Sequence, residues 1–221
     1  MEQPKCYICT KTGGIKETDV IKLDEPFILF DLDGTCCEFR TMGQEYKDAD
    51  GFTRHFHMED LYEEGYFINL PPFEKVCIAV KLLKEKGYNV GICSAALSDS
   101  SFALKEKPAW SFDHIDPDIP VFITPCGHKK ANFIRATAPV ILVDDYSKNL
   151  HEWQLSSPLF DGVKMRNNIN GTYGTWTGNS VSYDMQPEML ANRLEEFMKE
   201  SIMKHMPTKI DDPEQYFRED T

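Results

Sequence analysis

Residues 27–39 read FILFDLDGTCCEF. The opening run Phe27 to Phe30 is continuously apolar, as expected of a β-strand covered on both faces. Two aspartates, Asp31 and Asp33, stand where that strand must end, followed by Gly34 and Thr35. A second run of the same texture, Val140 to Val143, also ends in a pair of acids, Asp144 and Asp145. Carboxylates at the mouths of two buried strands need either cations or hydrogen-bond donors, because an unpaired buried charge is costly.

Between and around the two runs the pattern alternates. Val76, Ala79, Val80, Leu82 and Leu83 mark an amphipathic helix that Lys84-Glu85-Lys86-Gly87 closes. Asn89 to Cys93 and Val121 to Thr124 read as strands, and 129–136 as a helix after a Pro125-Cys126-Gly127 turn. Lys148 to Leu155 reads as helical, Gly162 to Arg166 as an edge strand, and 187–204 as a last amphipathic helix. The Gly/Asn/Thr-rich stretch 167–183 suits loops and a hairpin. Strand and helix in alternation predict right-handed βαβ crossovers and a Rossmann-like three-layer α/β/α architecture around a parallel sheet. Residues 40–66 interrupt it: polar, aromatic and His/Glu-rich, they predict a small helical cap insertion. The organisation expected is an N-terminal extension over 1–24, a domain over 25–206 and an acidic tail over 207–221.

Composition narrows the function. The chain has 221 residues, 41% apolar and 27% charged, enough for one sizeable core. A net charge of -12 argues against a nucleic-acid or anionic-membrane surface. No apolar run approaches the length of a membrane span, and the first ten residues lack the features of a secretory signal. Seven scattered cysteines, Cys36 and Cys37 adjacent, fit reduced thiols and a cytoplasmic location. Cys6 and Cys9 have the spacing of half a zinc site, but no second pair completes it. A mobile or loosely packed N-terminus is expected there instead. His55, His57 and His114 show no consistent ligand spacing and are read as surface or packing residues.

In an open parallel sheet, ligands bind beyond the carboxyl ends of the strands. Four segments deliver polar groups there: Asp31 and Asp33, Ser94, Lys129 and Lys130, and Asp144 and Asp145. Separately each has a plain structural role available, as turn, helix cap or solvated surface. Together they hold the parts phosphoryl transfer requires: a carboxylate nucleophile, a second acid, groups that grip phosphate, and ligands for a cation that relieves charge repulsion.

These residues resemble a known family. DLDGT after a hydrophobic strand, GICSAA, PCGHKKANF and VILVDD are similar, in order and spacing, to the four motifs of the haloacid dehalogenase (HAD) superfamily of phosphohydrolases. Within it, the 5′(3′)-deoxyribonucleotidase branch and its bacterial and phage relatives resemble the segment 65–95 and, less specifically, 162–178. The resemblance implies a Mg²⁺-dependent phosphatase acting on a small phosphomonoester, with a (deoxy)ribonucleotide as one candidate, through an aspartyl-phosphate intermediate. Asp31 would be nucleophile and metal ligand, and Asp33 acid/base and metal ligand through its carbonyl. Ser94 and Lys130 would hold phosphate, with Lys129 the rival lysine. Asp144 and Asp145 would complete the metal site. The interruption at 40–66 is smaller than the helical lid usual in that branch, which weakens the nucleotide reading. Two rival expectations stand beside the enzyme: a non-catalytic HAD-shaped binding module and a zinc-stabilised N-terminal module.

Overall fold

The computed structural model describes residues 4–40, 42–47, 50–97, 100, 102–167 and 174–205. In chain order the first elements are β1 (Cys6–Thr10), β2 (Gly14–Thr18), β3 (Ile21–Leu23) and β4 (Phe27–Phe30). The excursion carries β5 (Glu45–Lys47) and β6 (Thr53–His55); α1 (Glu74–Glu85), β7 (Asn89–Ala96), α2 (Ala103–His114) and β8 (Val121–Pro125) follow. The chain ends with β9 (Ile134–Ala136), β10 (Val140–Asp144), α3 (Ser147–Ser156), β11 (Phe160–Arg166), β12 (Ser180–Ser182) and α4 (Pro187–His205).

Eight strands form one sheet in the order β12-β11-β10-β4-β7-β8-β1-β2. The six from β12 to β8 run parallel, while β1 is antiparallel to β8 and β2 to β1. The protein is therefore α/β with a mostly parallel central sheet and four helices. Alternation along β4 explains why its whole apolar run is buried. Ile28 and Phe30 pack into the core beneath α1, α2 and α4, whereas Leu29 faces the opposite core with Leu150 and Trp153 of α3. Helix α1 buries Val76, Cys77, Ala79, Val80 and Leu83 and stops where expected. Gly87 adopts a left-handed φ of 88°, and the Gly87 and Tyr88 amides donate back to the Lys84 and Leu83 carbonyls.

Several expectations need correction. The N-terminal segment is not loose: β1 pairs with β8, and Cys6 and Cys9 are buried because they face the two cores. The expected helix at 129–136 is a 3-10 turn, Lys130–Phe133, running into β9, which pairs with β3. β11 is not an edge strand, since β12 lies outside it in parallel register and cannot be its hairpin partner. The cap is helical only in part: one short 3-10 helix, Met58–Tyr62, stands where short helices were expected around Met58 to Glu64, and the unexpected β5-β6 hairpin turns at Asp50-Gly51. A neck closes the excursion, with Glu38 donating to the Pro71 carbonyl and Phe73 to that of Cys36. The acidic tail 207–221 lies outside the described residues. Among the described residues no helix is long and apolar enough to cross a membrane.

Candidate active site

From β4 the chain crosses to β7 and β8 on one side, then returns to β10, β11 and β12 on the other. The order thus reverses between β4 and β10, where a crevice opens at the carboxyl ends of the strands. Register pairs Phe30 with Val143, and the Asp31 amide donates to the Val143 carbonyl at 2.8 Å. Asp31 and Asp144 are consequently the next residues along two neighbouring strands.

Beyond Asp31 the chain folds back on itself, with the Thr35 and Cys36 amides returning to the Leu32 carbonyl. Gly34 permits this at φ 76°. A Cβ there would collide with the Asp145 carboxylate, so no side chain is tolerated at this position. Asn167 locks the loop to the opposite strand: its amide nitrogen donates to the Gly34 carbonyl at 2.5 Å and to Asp145 Oδ2 at 2.9 Å.

The six residues singled out from sequence converge here. Lys130 Nζ lies 2.8 Å from Asp31 Oδ1 and 2.7 Å from Asp144 Oδ2. Lys129, the rival, is exposed. Asp144 is fully buried, and its remaining lone pairs accept from the Tyr146 amide at 2.8 Å and from Asn149 Nδ2 at 2.9 Å. Ser94, also fully buried, accepts a hydrogen bond from Lys107 Nζ at 3.1 Å. Lys107 lies only 2.5 Å from Asp33 Oδ2 and completes its three donors on the Ala95 carbonyl. Lys130 by contrast makes two such bonds, leaving one N–H available, and Ser94 spends its proton on no acceptor among the described residues.

Burial pushes the Asp31 carboxyl up to about 6, with Asp144 and Asp33 adding repulsion and Lys130 opposing the rise. Burial disfavours the Lys130 ammonium, but Asp144 and Asp31 outweigh it and hold the group above the usual lysine range. Cys36 and Cys37 are buried thiols pushed well up by burial, which fits packing and not nucleophilic chemistry.

Charge and orphaned atoms together test whether the cluster suits a cation. Four carboxyl groups (Asp31, Asp33, Asp144, Asp145) share the site with three buried ammonium groups (Lys107, Lys130, Lys164), which leaves one negative charge in excess when all four are ionised. Asp31, Asp144 and Asp145 each offer an oxygen, all within 4.8 Å of one another. Octahedral ligands about 2.1 Å from a small hard cation stand roughly 3 to 4 Å apart, so a slight contraction suffices. Asp33 Oδ1 and Thr35 Oγ1 are buried with no hydrogen-bond partner, as expected of groups that await a ligand. The donor set is all oxygen and fits a hard divalent ion. Each of the three also has a protein partner: Lys130 for Asp31, Lys130, Tyr146 and Asn149 for Asp144, and Asn167 for Asp145.

Sequence reasoning missed Lys107, Asn149 and Asn167. Lys107 sits in α2, a helix not anticipated because Pro108 interrupts it and its apolar residues are weakly periodic. The two asparagines lie 5 and 22 residues beyond Asp144 and Asp145 respectively, and nothing local marks them. No protein-family model matches the chain, and no curated protein is similar to it.

Proposed function

We propose that the chain is a divalent-cation-dependent phosphatase of the HAD type, acting on a small phosphomonoester. The observation that carries this is the convergence of Asp31, Asp144 and Asp145 with Lys130 at the reversal of strand order. Asp33 and Ser94 stand beside them, joined through Lys107.

Asp31, Asp144 and Asp145 would hold the cation, with Mg²⁺ the natural choice for hard oxygen donors. Bound there, it would neutralise phosphate charge and so permit an anionic nucleophile to approach. Asp31 attacks phosphorus with a carboxylate oxygen, forming an acyl phosphate as the P–O bond to the leaving alcohol breaks. With the ester bound, Asp33 takes up a proton on Oδ1, the oxygen that Lys107 leaves free, and gives it to that departing oxygen. The same carboxylate then takes a proton from water as the water oxygen attacks the acyl phosphate, releasing inorganic phosphate and restoring Asp31. The Ser94 hydroxyl and the remaining Lys130 N–H grip non-bridging oxygens. Since Lys130 bridges Asp31 and Asp144, an arriving phosphate shares it and loosens that internal pair.

Phosphate release from a panel of phosphomonoesters, with and without Mg²⁺, tests the reading. Activity that needs the metal and vanishes in Asp31→Asn supports it. Turnover that survives either change refutes the mechanism, and tight ligand binding without turnover would favour a binding module instead.

A further inference from the structure

The cap holds a second set of unsatisfied groups. Arg40 is only 4% exposed, and among the described residues no carboxylate pairs with its guanidinium; the polar group nearest to it is the Tyr66 hydroxyl. The guanidinium's contacts are ring faces, 4.0 Å to the Tyr46 centroid and 5.4 Å to that of Tyr66. The Tyr66 hydroxyl is buried beside it, and the two are not aligned for a good hydrogen bond. Both side chains line one cavity of about 190 Å³ between the hairpin and the 65–69 turn. Buried charge is normally paired, and two tyrosine faces replace only part of what a guanidinium loses with its water. Two neighbouring donors on one hollow suit a ligand that accepts from both.

The sign and size of that ligand follow. A guanidinium fork and a hydroxyl proton are donors, so the ligand is an acceptor, and a full negative charge best matches Arg40. Acids do border the hollow, namely Asp50, Glu63 and Glu64, but they are exposed and hydrated, whereas Arg40 is the buried charge. The volume falls below the roughly 300 Å³ at which sites for whole drug-sized ligands begin. It suits one charged group.

Position ties the hollow to the chemistry. Lys107, which grips Asp33, lies 4.6 Å from the Phe67 ring centroid, and Phe67 packs edge-on against Tyr66. The Asp33 charge reaches the Tyr66 hydroxyl and, added to burial, disfavours its ionisation. The hollow thus lies one layer of side chains, Lys107 and Phe67, away from Asp33.

We propose that Arg40, assisted by the Tyr66 hydroxyl, receives a second anionic group, a carboxylate or a second phosphate, carried on the organic part of the substrate. This rests on the phosphatase reading and narrows its substrate class to phosphomonoesters with a charged tail.

Matched pairs test it: glucose 6-phosphate against 6-phosphogluconate, and thymidine 5′-monophosphate against thymidine 3′,5′-bisphosphate. The expected result is a kcat/KM preference for the charged-tail member of a pair. Which pair shows it separates carboxylate from phosphate. In Arg40→Met that preference falls about tenfold to a hundredfold, the range for a hydrogen bond between charged groups. Arg40→Lys restores part of it, and Tyr66→Phe, which keeps the ring and its packing, lowers it about tenfold. Absence of any preference in the wild type, or equal loss on both members in every variant, overturns the proposal and makes Arg40 a packing strut. Should no ester be hydrolysed, the phosphatase reading fails alone, and calorimetric titration with malonate decides the cavity. Binding to the wild type that is lost in Arg40→Met sustains an anion receptor; no binding ends it.

Discussion

The strand ends that carry Asp31 and the excursion that carries Arg40 are stabilised in contrasting ways. Around Asp31, parallel strands buried on both faces fix the backbone, and Lys130 ties Asp31 to Asp144, which Asn149 also holds. In the excursion, β6 is wholly exposed and the hairpin is held by few anchors: Phe56, Leu61, Tyr66, Phe67 and the carboxylate of Glu106. Glu106 accepts from the Gly65, Phe67 and Ile68 amides, at 2.7, 3.0 and 3.3 Å. Bond-making chemistry tolerates little displacement, so it belongs on the rigid part. Substrate selection benefits from a part that can vary and yield, and that is where the unsatisfied donors lie.

Four changes would break or sharpen this contrast, in falling order of effect. Asp31→Asn is expected to cut phosphate release at least about a thousandfold, while the melting temperature stays within a few degrees because an excess buried carboxylate is removed. Single-turnover assays and calorimetry check both halves. Lys130→Met strands Asp31 and Asp144 as buried, uncompensated carboxylates. It should cost about 3–5 kcal/mol in urea unfolding, against less than about 2 kcal/mol for Arg40→Met in the cap.

Glu106→Gln removes the charge that gathers three cap amides. Hydrogen exchange at Gly65, Phe67 and Ile68 should quicken about tenfold to a hundredfold, with β4 and β10 amides unchanged. Equal quickening in both would mean that cap and core open as one unit.

The smallest effect concerns acid stability. Burial acts to raise the Asp161 carboxyl, but Ser201, Lys204 and His205 prevail and hold it below the usual 3.8. A depressed folded-state pKa gives stability that is complete above the ordinary value and lost as pH falls through the folded one. Asp161→Asn should therefore lower the melting temperature by a few degrees at pH 7, with the gap to wild type closing below about pH 4.

How much could be read in advance tracks how local each signal is. β4, β7 and β10 announce themselves as short apolar runs, and α1 and α4 as amphipathic periods with plain endings. Asp31 and Asp144 follow from those strand ends, Ser94 lies inside β7 two residues before its end, and the choice of Lys130 over Lys129, made through the resemblance, agrees with their burial. β1 was hidden because it joins the sheet only by pairing with β8, more than a hundred positions later, and its polar neighbours resemble a loose terminus. Helix α2 was hidden by Pro108, and with it the consecutive Glu106 and Lys107 that hold the cap and Asp33 respectively. Arg40 stands one residue from the familiar stretch but gains meaning only when the cap folds over it.

The hairpin of β1 and β2 has a consequence for handling the protein. By pairing Tyr7, Ile8 and Cys9 with Ile123, Phe122 and Val121, it conceals a greasy border and presents instead Lys16 and Glu17, both solvent-facing. Charge on an outermost strand discourages other chains from adding to it. Trimming the first eighteen residues would lay bare Val121, Phe122 and Ile123 as a template, and the shortened polypeptide would stick to its own copies. During synthesis β1 must also wait for residues 121–125 before it finds its place, and until then its own edge toward β8 is open to misassociation.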